Sequence, residues 1–84
     1  MAAQTGLQRR ITSLVFEVLP VAGIRQPGLT IVEISQATGL PKDRVRRALA
    51  AMVKAKLATY RRAKGGYRYW RRFDAWLEEL LGNR

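Results

Sequence analysis

Eighty-four residues are enough for one small domain, which buries only about two-thirds of the surface that its unfolded chain exposes, so no second, ligand-sensing domain and no small-molecule effector is expected. The chain contains neither cysteine nor histidine. That removes disulfides, thiolate chemistry, and the commonest metal ligand and general base, and the expectation is a protein with no catalytic residue, no metal and no cofactor. Lysine and arginine number 16 against 6 acids, a net charge of +10, while a hydrophobic fraction of 48% is that of a folded protein; the natural partner is a polyanion.

The charge is concentrated. Residues 42–72 hold twelve basic side chains against a single acid, Asp43. The apolar runs are far shorter than the roughly 20 residues that span a membrane. Residues 1–6 lack the basic-then-apolar layout of a signal peptide, so no membrane association and a cytoplasmic, nucleoid-associated location are expected.

Residues 1–4 read as frayed. Thr5 and Gln8 have the spacing of a capping box, and Leu7, Ile11, Leu14, Val15, Val18 and Leu19 recur at helical spacing, which predicts a first helix over residues 6–19. Pro20 disfavours helical geometry at Leu19, and Gly23, Pro27 and Gly28 make the following stretch a loop, with room for a brief strand at residues 29–31.

Thr30 and Glu33 form a clearer capping box and open a short helix at Ile31. Ile34, Ala37 and Leu40 share one face of it, Gly39 supplies the left-handed residue that closes it, and Pro41 suits the first turn of the next helix. From there Val45, Ala48, Leu49 and Met52 follow the i, i+3, i+4, i+7 pattern. Lys42, Asp43, Arg46, Arg47 and Lys54 fall on the opposite face. A short helix, a tight corner and a basic second helix ending near Lys56 form a helix-turn-helix.

Residues 57–62 and 67–72 are extended, aromatic-rich stretches separated by Ala63, Lys64, Gly65 and Gly66, the signature of a hairpin. A four-residue loop pairs Arg62 with Tyr67, Tyr60 with Tyr69 and Thr59 with Trp70. It places Leu57, Thr59 and Trp70 against the core, although a slip of one residue reverses the face. Asp74 is a candidate cap for a last helix, lined by Phe73, Trp76, Leu77, Leu80 and Leu81 and stopped by Gly82. One helix cannot bury that much apolar surface uncovered, so residues 73–82 are assigned to packing on the first helix and to a homodimer interface.

The resulting order predicts a mainly α protein with a small β-hairpin: three helices, a two-stranded wing and a C-terminal helix, in one domain spanning residues 1–84. The stretch ISQATGLPKDRVRRALAAMVKAKLATYRRAKGGYRYW resembles the winged helix-turn-helix of bacterial transcriptional regulators of the multiple-antibiotic-resistance-regulator and isocitrate-lyase-regulator groups. The residues that carry the likeness are Ala37-Thr38-Gly39-Leu40-Pro41, Val45, Leu49 and Lys56-Leu57, within a resemblance that covers about residues 8–72.

That resemblance implies binding of double-stranded DNA, with the second helix of the pair in the major groove and the wing on the backbone or a minor groove. Lys42, Asp43, Arg46 and Arg47 then face base edges. The two arginines suit guanine O6 and N7, and Asp43 either accepts from cytosine N4 or orients a neighbouring arginine. Arg44, Lys54, Arg61, Arg62, Lys64, Gly65, Gly66 and Arg68 are candidates for the backbone or minor groove, with Lys56 beside them. Tyr60, Tyr67, Tyr69 and Trp70 are cross-strand packing, or a platform for single-stranded bases.

Three functions fit these residues. The first is a sequence-specific transcriptional regulator, a small repressor occupying an operator as a dimer with recognition helices about 34 Å apart. The second is an architectural or replication-associated DNA-binding protein of low specificity. The third is an RNA-binding module.

Overall fold

In this computed structural model residues 6–23 and 25–82 are described. The elements run α1 (Gly6–Val18), α2 (Ile31–Thr38), α3 (Lys42–Lys54), β1 (Ala58–Ala63), β2 (Gly66–Arg71) and α4 (Phe73–Gly82). This is the mainly helical winged helix-turn-helix that the sequence implies. The capping box assigned to Thr5 and Gln8 and the side chain of Leu7 lie outside the described residues.

The core gathers where the three-helix body meets the hairpin. Val15 reaches it from α1 and Leu19 from just past its end, Ile34 from α2, Val45, Ala48, Leu49 and Met52 from α3, and Ala58 from the start of β1. Complete burial of a side chain such as Ile34, Leu49 or Met52 contributes about 1.5–3 kcal/mol relative to leaving it in water. The periodicity in α3 therefore identifies the buried face correctly. Two neighbours depart from the pattern: Leu14 is 46% exposed, and Ala37 lies on the outer side of α2.

The corner between α2 and α3 is held by local bonds. Thr30 Oγ1 accepts from the Glu33 N–H at 3.1 Å and the Thr30 N–H donates to Glu33 Oε1 at 2.9 Å. Gly39 closes α2 at φ 76°. Ser35 Oγ donates to the Leu40 carbonyl at 2.6 Å, and the Leu40 N–H donates to Thr38 Oγ1 at 3.2 Å. Pro41 stands one residue earlier than expected, as the N-cap of α3 with ψ 149°. Its extended backbone leaves the carbonyl free to accept from the Arg44 and Val45 N–H groups, each at 3.1 Å.

After α3 the chain reverses through Lys56, which adopts a left-handed φ of 63°. The Leu57 N–H donates to the Met52 carbonyl at 2.8 Å and the Lys56 N–H to that of Val53 at 3.1 Å, as in a Schellman closure.

The hairpin has the expected register, with Arg62 opposite Tyr67, Tyr60 opposite Tyr69 and Thr59 opposite Trp70. Its loop is tighter than expected: Ala63 pairs with Gly66, so only Lys64 and Gly65 turn, with Gly65 at φ 86°. The expected inward face is corrected. Leu57 does pack on the core, but Ala58 is buried there and Tyr69 packs beside it. Thr59 and Trp70 turn instead toward the loop after α1, where Trp70 Nε1 donates to the Gln26 carbonyl at 2.8 Å. The reversal at Lys56 decides this, because it delivers Ala58 rather than Thr59 to the helices.

The outer edge of β2 is paired as well. Leu29 and Tyr69 exchange both backbone bonds, at 3.1 and 2.9 Å, and Arg71 bonds to Pro20 and Ala22 at 2.7 and 2.8 Å. The brief strand expected at residues 29–31 is thus a single bridge at Leu29, because Thr30 is already occupied in capping α2.

Helix α4 begins at Phe73, so Asp74 lies inside its first turn and does not cap it. The carboxylate accepts two bonds from Arg72, at 3.1 and 3.2 Å, and one from the Ala75 N–H at 2.9 Å. No described residue of α4 is buried. Its Asp74, Ala75, Glu78 and Glu79 look across an open groove at Thr12, Ser13, Phe16 and Glu17 of α1, and Phe73, Leu77, Leu80 and Leu81 are exposed. Trp76 of the same face is half-buried, so most but not all of the apolar side expected to pack on α1 is open to solvent.

Gly28 marks where loop and strand approach most closely. A Cβ there would lie 2.8 Å from the Tyr69 carbonyl oxygen and 2.9 Å from Trp70 Cε2. Gly28→Ala is expected to cost about 1–3 kcal/mol through this overlap, read as a lower urea midpoint at unchanged slope; unaltered stability would show that the loop yields freely.

Candidate nucleic-acid interface

Amphipathicity places the candidate base-contacting residues. With Val45, Ala48, Leu49 and Met52 turned inward, Lys42, Asp43, Arg44, Arg46 and Arg47 are all exposed along the first two turns of α3. Arg46 Nη1 lies 3.2 Å from Asp43 Oδ1, with both side chains largely in solvent. The pair fixes the direction of one guanidinium on the helix surface; an exposed ion pair of this kind adds little stability.

On the wing, Arg61, Arg62, Lys64, Gly65 and Gly66 are exposed. Among the described residues, no hydrogen bond or ion pair engages the side chains of Lys42, Arg44, Arg47, Lys54, Lys56, Arg61, Arg62 or Lys64. Their charges are available to an external anion.

Three arginines of the basic stretch serve the fold. Arg68, assigned from the sequence to DNA backbone, donates through Nη1 to the Gly28 carbonyl at 2.7 Å and lies 3.4 Å from Glu33 Oε1. Arg71 donates through Nε to the Leu19 carbonyl at 2.6 Å, with its guanidinium carbon 5.2 Å from the centre of the Phe16 ring. Arg72 is held by Asp74. The hydrogen-bonding partners of Arg68 and Arg71 are 35 to 52 residues away, beyond any spacing rule that could have flagged them.

Sequence reading also passed over Arg25, which lies outside the charge-dense stretch. It lines a shallow hollow with Gln26, Thr59, Tyr60, Arg61 and Trp70. Acidic groups collect elsewhere: Glu17, Asp74, Glu78 and Glu79 all line the groove between α1 and α4. The basic face of α3 and the wing is left with Asp43 and Glu33, each already paired with an arginine.

Two groups have displaced ionisation. The backbone N–H of Thr30, aided by the Arg68 guanidinium and the Thr30 hydroxyl, holds the Glu33 carboxyl below its ordinary range despite some opposing desolvation. Burial raises the Tyr69 phenol, with Tyr60 and Tyr67 adding to the effect and Arg46 opposing it.

Among the described residues, no group of three or more histidine, cysteine, aspartate or glutamate side chains is placed to hold a metal ion, and no helix is long and apolar enough to cross a membrane. The chemistry this surface offers is fixed cations on a helix and a hairpin, suited to phosphates and base edges.

Comparison with known proteins agrees with the architecture. Residues 22–63, half of the chain, match the family model of the RNA polymerase III subunit RPC82 helix-turn-helix domain. The matched stretch includes α2, the corner, α3 and β1. No curated protein and no solved structure matches the chain.

Glu33 ties the cap of α2 to the wing, and its lowered pKa sets the sign of a pH effect. The ionised carboxylate stabilises the fold above the ordinary carboxylate range, and that contribution is lost as pH falls through the lowered value. Glu33→Gln keeps the capping geometry without the charge, so the stability gap between native chain and variant is expected to be largest near neutrality and to close in acid. Urea titrations at several pH values read this directly; a gap independent of pH would exclude the charge as its cause.

Proposed function

The chain belongs to the helix-turn-helix family of the RNA polymerase III subunit RPC82 domain, and from that premise we propose that it is a sequence-specific double-stranded DNA-binding regulator of transcription. Helix α3 enters the major groove, which admits one α-helix, and the wing rests on the backbone or an adjacent minor groove. Lys42, Asp43, Arg46 and Arg47 meet base edges, with Asp43 orienting Arg46. Arg44, Lys54, Arg61, Arg62 and Lys64 meet phosphates, while Gly65 and Gly66 allow the turn to approach closely. The observation that carries the reading is the set of unengaged cations on α3 and the wing of a helix-turn-helix.

In this reading the protein is a small repressor that occupies its operator as a homodimer. The exposed apolar side of α4, with Leu80 59% accessible, supports a second copy covering it. This function is the one implied by the resemblance to multiple-antibiotic-resistance and isocitrate-lyase regulators. The matched family carries the name of a polymerase subunit, which favours a second reading: a DNA-binding component of a transcription assembly, with α4 docked on another subunit. Selection of DNA from a random pool by the purified protein separates the two. A palindromic consensus fits the dimeric repressor, a single half-site fits an assembly component, and no consensus would exclude sequence-specific regulation.

Two substitutions probe the roles assigned to the surface. Arg46→Ala is expected to cost about 1–3 kcal/mol at the preferred site and to relax the choice of one base pair; uniform weakening across all sequences would make Arg46 a phosphate contact. Lys64→Ala is expected to weaken all sequences alike and to reduce the log–log salt slope by about one unit, whereas an unchanged slope would remove the wing from the interface.

A further inference from the structure

Tyr60, Tyr67 and Tyr69 stand on one side of the hairpin, because Tyr60 pairs directly with Tyr69 and Arg62 with Tyr67. The Tyr60 and Tyr67 rings meet edge to face at 5.4 Å and 81°, and Tyr60 and Tyr69 lie 6.0 Å apart at a 39° tilt. Tyr69 packs against the core and anchors the group. Tyr60 and Tyr67 remain 52% and 45% exposed, so part of each ring is open to an external ligand.

The surroundings are cationic. Arg62 shares this side of the hairpin with the three rings, and Arg46 of α3 is near enough to favour the Tyr69 phenolate. No acidic residue occurs in either strand or their turn. Two half-exposed aromatic rings flanked by arginines bind unpaired bases well: every base has a π face, and a guanidinium can hold the phosphate beside it. A fully paired duplex offers no such face, since its bases are stacked on one another.

We propose that Tyr60 and Tyr67 form a stacking platform for unpaired bases of single-stranded DNA, with Arg62 on a flanking phosphate. The protein then grips a junction between duplex and opened strand. The duplex half of this statement rests on the reading of α3 given above, whereas the platform stands on the hairpin alone.

The test compares one duplex, closed or carrying a short central bubble, with the corresponding single strand as DNA and as RNA. The native chain is expected to bind the bubble about tenfold more tightly than the closed duplex, the scale of one stacked base. Tyr60→Leu combined with Tyr67→Leu should erase that preference and leave closed-duplex affinity unchanged, while the paired Tyr→Phe variant should keep it. A native chain that binds closed duplex without preferring the bubble overturns the platform, as does a leucine variant that retains the preference. Tighter binding of the RNA strand overturns the assignment to DNA.

Failure to bind closed duplex, with tyrosine-dependent binding of the single strand intact, removes the reading of α3 instead. Where the leucine variant does not fold, photocrosslinking of halogenated uracil in the bubble to the native chain decides. Adducts on the peptides holding Tyr60 and Tyr67 support the platform, and adducts only elsewhere refute it.

Discussion

The wing is held to the helical body along the outer edge of β2, and the position of every wing cation follows from that pairing. Leu29 bonds Tyr69 in both directions, and Arg71 is bracketed by Pro20 and Ala22. Backbone bonds of this kind leave little freedom in the angle at which the hairpin leaves the body, since each removed from water must be matched. Gly28 allows the approach, and the reach of Arg68 to the Gly28 carbonyl and to Glu33 joins the same strand to the cap of α2. Because α2 sets the corner and the corner sets α3, one edge pairing relates the wing to α3.

This arrangement divides a uniform basic stretch into two classes of side chain. Arg68, Arg71 and Arg72 spend their donors on the protein itself, on carbonyls, a carboxylate or an aromatic ring. Arg44, Arg47, Arg61, Arg62 and Lys64 do not. Cations held near one another without partners repel and cost stability, a cost that an incoming polyanion reverses. The clustering of Glu17, Asp74, Glu78 and Glu79 in the groove between α1 and α4 keeps carboxylates off that surface.

Helix α4 completes the picture from the other end. It is amphipathic, with acids toward the groove and leucines in solvent, yet buries none of its described residues. An apolar face left in water at this density is what a second copy or another subunit would cover, and the two readings of function differ in which of these it is.

Much of this was legible in the sequence, because it depends on neighbours within about one or two turns. The capping box at Thr30, the left-handed Gly39, the buried stripe of α3 and the strand pairing of Tyr60 with Tyr69 are local consequences of residue type and spacing. So is the exposure of Lys42, Asp43, Arg44, Arg46 and Arg47. Where local chemistry was ambiguous by one position, as with Pro41 and Asp74, the reading erred by that much. The face of the hairpin that meets the core, the roles of Arg68 and Arg71, and the bareness of α4 were decided only in three dimensions. Each depends on groups far apart in the chain, or on a single left-handed residue at Lys56 that reverses a strand. Alternation along a strand states which side chains travel together, and only tertiary contact states which way they point.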